Sequence, residues 1–145
     1  MQKALLVILF TFSALAGDIG HGTWLAKANA AELSQSDAIL ASSYRNRVGN
    51  IQVQGRGTVD RILSDDDDGS RHQRFTLRLA SGQSLLIAHN IDLAPRIGPI
   101  NVGDTIDFNG VYEWHPQGGV IHWTHRDPAG RHQAGWLAHR GLIYQ

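Results

Sequence analysis

The segment GGVIHWTHRDPAGRHQAGWLAH (residues 118–139) gathers His122, His125, Asp127, Arg131 and His132 around Trp123 and Trp136. Imidazoles beside a carboxylate can move protons near neutral pH or hold a transition metal. His122 and His125 are three residues apart, so on a straight strand they project to opposite faces. Both reach one metal ion only if the chain bends near Thr124, and Asp127-Pro128 can supply that bend by ending the strand. His125, Asp127 and His132 then converge from a loop. They form either a divalent transition-metal site, with His122 as a further ligand, or a base, its orienting carboxylate and an electrophile. The plainer alternative is that these histidines bond loop carbonyls and pack on the tryptophans.

A second group comprises His72, Arg74 and His89, with Asn90, Asp92 and Arg96 just beyond. If they share a face, Arg74 and Arg96 clamp a phosphate or carboxylate while His89 or Asp92 acts on the bound group. Otherwise they are an exposed polar face with one Arg to Asp pair. Adding Arg131 and the Trp123 indole makes an anionic ligand the expected partner, a nucleic acid or another phosphodiester.

Strands must position these groups, because from residue 50 onward apolar residues recur with period two between Gly, Asp, Asn and Pro. Residues 50–63 carry Gly55 and Gly57, which let a strand coil around a small barrel. Residues 71–80 alternate Gln73, Phe75, Leu77 and Leu79 against His72, Arg74, Thr76 and Arg78. A two-residue turn at Ser81-Gly82 leads into residues 83–89, setting Arg74 opposite His89 with both pointing away from the core. Residues 105–114 turn Ile106, Phe108, Tyr112 and Trp114 inward. They pair with residues 119–125, matching Tyr112 to Ile121, Gly110 to the Trp123 indole, and His122 to Val111 and diagonally to Glu113. Residues 36–45 suit a helix of one to three turns that plugs one end, and Arg140-Gly141 turns a C-terminal hairpin.

These elements describe an all-β chain, a five-stranded barrel with a short N-terminal helix and a C-terminal hairpin extension. The string VGDTIDFNGVY (residues 102–112) resembles the fourth strand of OB folds. That fold hosts oligonucleotide, oligosaccharide and protein binders as well as nucleases, so it leaves the function open.

A length of 145 residues suits one domain behind a leader. Lys3 is followed by an apolar run, residues 4–16, too short to span a bilayer comfortably and suited to an export signal. Cleavage fits after Ala16 or, preferably, after Ala30. Residues 1–30 are therefore read as a signal peptide, 31–49 as linker and short helix, and 50–145 as the OB-like barrel. An uncleaved amphipathic anchor is the alternative, and no later segment is apolar enough to cross a membrane. Residues 31–145 hold eleven Arg and no Lys against twelve acids. That near-neutral balance argues against tight non-specific nucleic-acid binding. With no cysteine, the domain must stand on its core, and any metal site must use imidazole and carboxylate. The run Asp65-Asp66-Asp67-Asp68 before Gly69 fails as a calcium loop, since Phe75 falls where a bidentate Glu is needed, and reads as a solvated turn. Serine-nucleophile and P-loop motifs are missing.

At RHQRF (71–75), IAHNIDLAPRI (87–97) and GGVIHWTHRDPAGRHQAGWLAHRGLIYQ (118–145) the chain resembles an uncharacterised family of small exported bacterial proteins, a domain of unknown function. The resemblance covers nearly all of residues 50–145. It implies a periplasmic or secreted bacterial domain and carries no established activity. A weaker likeness is to the staphylococcal-nuclease group, metal-assisted phosphodiesterases on an OB barrel, and implies Arg74, Arg96 and Asp92 as counterparts. The departure is that residues 31–145 have only Glu32 and Glu113, neither near Arg96, so a histidine would have to serve as the base. Three functions stand as expectations. The first is an exported domain binding an anionic ligand; the second is a His/Asp-based, metal-dependent or metal-free nuclease or phosphodiesterase. The third is a structural or protein-interaction module of the envelope.

Overall fold

Alternation in the sequence becomes burial in the strands, because every second residue of a half-buried strand faces the core. In β2 (His72–Arg78) Gln73, Phe75 and Leu77 are buried, and in β4 (Thr105–Glu113) Ile106, Phe108 and Tyr112 are. The computed structural model describes residues 21–145. The apolar run 4–16 and the cleavage point after Ala16 lie outside the described residues.

The remaining elements are α1 (His21–Asn46), β1 (Ile51–Ile62), β3 (Ser84–Asn90), β5 (Val120–His122), β6 (Trp136–His139) and β7 (Leu142–Tyr144). Five strands close a ring: β1 pairs with β2, β2 with β3, β3 runs parallel to β5, and β5 pairs with β4, which returns to β1. This is the OB-like barrel expected from the strand pattern. One edge of β4 is taken by β1. The other is divided, with Val111, Tyr112 and Glu113 pairing with β5 and Asp107, Phe108 and Asn109 with β6. Outside the ring β6 and β7 form the C-terminal hairpin, which turns at Arg140-Gly141.

Glycine in β1 makes room for the core of so small a ring. A Cβ on Gly55 would lie 2.7 Å from Cζ of Phe108, and one on Gly57 would lie 2.9 Å from Cβ of Leu77. The helix begins at His21, well before the expected residue 36, and runs through Ala28-Asn29-Ala30. It inserts Leu40 into the core and seats over one end of the barrel. There the Asp37 carboxylate accepts the Ser81 N–H at 3.0 Å, the Tyr44 hydroxyl donates to the Pro116 carbonyl at 2.8 Å, and the Trp114 indole donates to the Tyr44 carbonyl at 3.1 Å. No helix among the described residues is long and apolar enough to cross a membrane.

The register of β2 on β3 differs from expectation by one residue. Gln73 faces His89 and Arg74 faces Ala88, because the turn contains three residues instead of two, with Gly82 at a positive φ of 86° closing it onto the Leu79 carbonyl. A slip of one residue exchanges the faces of a strand. His89, expected on the outer face beside Arg74, is therefore a fully buried core residue.

Candidate functional site

The far end of the barrel from α1 is closed by polar side chains that reach into the connection between β3 and β4. The Gln73 amide pairs with the backbone of Ile97, donating to its carbonyl at 2.7 Å and accepting its N–H at 2.9 Å. Beside it, His89 Nε2–H donates to the Pro95 carbonyl at 3.0 Å. Since a carbonyl only accepts, this fixes the tautomer, and Nδ1 takes the Thr124 hydroxyl proton at 2.8 Å. Burial lowers the His89 pKa, opposed by the Pro95 bond and assisted by the neighbouring His125 and His72, so the ring stays neutral.

Thr124 belongs to a sharp departure of the chain from the barrel. Where the sequence suggests a strand through His125 and a bend at Asp127-Pro128, β5 stops at His122 because Trp123 adopts a φ of +54°. Thr124 then turns inward, fully buried, and its methyl group and Ile121 cover Gly110 in place of the expected Trp123 indole. The Gly135 N–H donates to the His125 carbonyl at 2.9 Å and draws the loop shut. A Cβ on Gly135 would lie 2.6 Å from the Asn109 carbonyl oxygen, so the neck admits no side chain there.

This bend brings part of each group of site residues together. His72, Asn90, His122, Trp123 and His125 line one cavity of about 220 Å³ with Ser70. An adjoining opening of about 320 Å³ shares His72 and His122 and adds Asp66, Ala88, Val120 and Glu113. His125 is buried, and its Nδ1–H donates to the Arg126 carbonyl at 2.7 Å, leaving Nε2 as the nitrogen with the lone pair. His132 does the same with the Gln133 carbonyl at 2.8 Å and stands edge-on to Trp123 with ring centroids 3.8 Å apart. Both histidines thus do what the plainer reading expects, bonding loop carbonyls and packing on an indole. His122 makes no such carbonyl bond; its Nε2, like that of His132, is buried without a hydrogen-bond partner, and it lies 3.8 Å from a Glu113 oxygen. Burial lowers the His122 pKa, and Glu113 partly opposes that shift.

Asp127 does not orient His125. Its carboxylate, 2% exposed, accepts the N–H groups of Ala129 at 2.9 Å and Arg131 at 2.6 Å, with the Arg131 side chain at 3.5 Å and His132 Nε2 at 3.7 Å. The Ala129 bond leads in holding its pKa below the usual carboxylate range. It organises its own loop. Among the described residues no group of three or more His, Asp or Glu side chains is arranged to hold a metal ion.

The arginines expected to clamp an anion are already engaged. Arg74 donates to the Ser64 carbonyl at 3.0 Å and lies 3.9 Å from Asp66, Arg96 pairs with Asp65, and Arg131 meets Asp127. Asp92 accepts the Arg71 N–H at 2.8 Å and its side chain at 2.7 Å, contacts that lower its pKa. Residue types had singled out neither Ser70 nor Thr124. Their roles arise from the turn before β2 and from the bend at Trp123, and no local spacing signals either.

The sequence model of a family described as a protein of unknown function (DUF3465) matches residues 23–145. No curated protein matches the chain.

Proposed function

Because the chain belongs to this domain family of unknown function, its activity has to be read from its own site, and we propose that it is an exported OB-like domain that seats a phosphodiester, a single-stranded nucleic acid first among them, in the histidine-lined cleft. The observation that carries this reading is the shared cavity of His72, Asn90, His122, Trp123 and His125, contributed by β2, β3, β5 and the chain just after it. An indole flanked by imidazoles offers stacking faces to a base, worth about 1–3 kcal/mol per stacked base. The Asn90 amide and imidazole nitrogens supply directional hydrogen bonds. Since Arg74, Arg96 and Arg131 are paired with acids, these three add little to counterion release, so binding should be modest and only weakly salt dependent.

Fluorescence anisotropy of a labelled single-stranded oligonucleotide against the full chain tests the reading. Binding is expected to weaken at least tenfold in His122→Ala and to change less than twofold in Arg74→Ala. The opposite ranking returns the ligand to the arginine face, and no binding to any single strand sinks the reading. Export is tested by N-terminal sequencing from a fractionated bacterial host. A chain trimmed after Ala16 or Ala30 outside the cytoplasm supports it, and an intact Met1 inside overturns it.

A further inference from the structure

Resting on the phosphodiester reading, we infer that the cleft is also a catalytic site: His125 and His122 form a metal-independent base and acid pair that cleaves a phosphodiester bearing a neighbouring hydroxyl, the linkage of RNA. Two imidazoles in one cavity have complementary hydrogen-bond states. His125 has its Nδ1–H committed to the Arg126 carbonyl, so its Nε2 is the unprotonated nitrogen, set to accept a proton. His122 Nε2 is buried with no partner, 3.8 Å from a Glu113 oxygen, the carboxylate placed to stabilise a proton on that ring against the lowering of its pKa by burial. Both rings pack beside Trp123, at 5.4 Å for His125 and 5.9 Å for His122 between centroids. A sugar and phosphate held against that indole lies next to both imidazoles. Ser70 and Asn90, which line the same cavity, supply donors for the non-bridging phosphate oxygens.

The step balances with these groups alone. His125 Nε2 takes the proton of the 2′-hydroxyl, and the freed oxygen attacks phosphorus. The bond from phosphorus to the 5′-oxygen breaks, and its electron pair leaves on that oxygen, which takes a proton from the His122 imidazolium. The products are a 2′,3′-cyclic phosphate and a 5′-hydroxyl. His125 ends protonated and His122 neutral, and exchange with solvent restores both. Positioned acid and base groups of this kind each contribute about 100-fold or more to rate.

The test incubates the full chain, in excess EDTA, with a ribo-oligonucleotide and with the same sequence in 2′-deoxy form, and reads the ends by mass spectrometry. The expected result is that both bind, only the ribo strand is cut, and the cut ends carry 2′,3′-cyclic phosphate. His125→Ala and His122→Ala should each slow cleavage about 100-fold or more at a temperature where both variants remain folded. A substrate whose 5′-oxygen is replaced by sulfur needs no proton on departure. It should restore cleavage in His122→Ala and not in His125→Ala, a pattern that mere loss of folding cannot produce. Binding of both strands with no cleavage overturns the catalytic inference and leaves the binding reading intact, whereas failure of both strands to bind removes the two together. Cleavage only after a divalent metal is restored overturns the inference in favour of metal-assisted hydrolysis.

Discussion

His89 and Thr124 are joined inside the protein by a hydrogen bond of 2.8 Å, which ties the end of strand β3 to the residue between Trp123 and His125. Through this bond and the one to Pro95, a single neutral ring fastens both loops at the cleft end to the barrel. His89→Leu leaves the Thr124 hydroxyl and the Pro95 carbonyl without partners. It should cost about 2–4 kcal/mol, as two unsatisfied buried groups do. Urea unfolding measures the loss. In a cycle with Thr124→Val the coupling should be about 1 kcal/mol, and additive effects would show that the two residues do not brace one another.

Stability should fall with acid in two separate windows. His89 and His122 have pKa values lowered from 6.5 by burial, so below that pH the unfolded chain binds more protons than the folded one. Their contribution is complete above about pH 6.5 and declines as the pH drops, by at most about 1.4 kcal/mol per pH unit for each fully depressed histidine. The effect is smaller for His122, which is one-third exposed. Asp104 and Asp127 have pKa values lowered from 3.8, chiefly by backbone N–H bonds, so their contribution is lost only as the pH falls further. Urea midpoints from pH 8 to 3 should decline between pH 7 and 5 and again below 4. His89→Gln should flatten the upper decline alone, and a constant midpoint down to pH 5 would contradict the assignment.

Gly55→Val should destabilise the barrel by about 1–3 kcal/mol, the usual cost of overpacking. Its Cβ would fall within van der Waals overlap of the Phe108 ring. Combining it with Phe108→Leu should recover part of that loss, which thermal unfolding of the two single variants and the double variant would resolve.

Asp127→Ala should unfasten the loop while leaving the barrel closed. Two backbone donors and the Arg131 side chain lose their acceptor, for an expected cost of about 1–2 kcal/mol. Far-ultraviolet circular dichroism should be unchanged. The near-ultraviolet signal of Trp123 should weaken as His132 leaves its edge, and an unaltered spectrum would mean that Asp127 does not hold that packing.

The barrel was legible because β2 and β4 alternate apolar and polar residues cleanly. The β4 to β5 register followed from two independent matches, Tyr112 with Ile121 and Val111 with His122, which the structure contains. The β2 to β3 register was not legible, since a glycine turn absorbs two residues or three with equal ease and only the distant Thr124 and Pro95 show that His89 belongs inside. The cleft was half legible. Its residue types stood out, but a tryptophan at positive φ follows from no local rule, and without that bend His122 and His125 would not share a cavity. The arginine pairings were hidden because each joins residues brought together by the fold, as Arg96 with Asp65.

The divided edge of β4 has a consequence for how this chain can change. His122 pairs with Val111 and Trp136 with Asn109, so Gly110 is the one β4 residue between the two partners, and one residue would suffice to join β5 and β6 into a continuous strand. The protein instead places residues 123–135 in that gap. Apart from Thr124, which is buried against His89, the groups in this excursion are additions to a strand that is already in register on both sides. Its length and chemistry can therefore vary, or be exchanged for a foreign loop, without re-pairing any strand of the ring, which makes the neck at Gly110 and Gly135 a natural grafting point for new specificities.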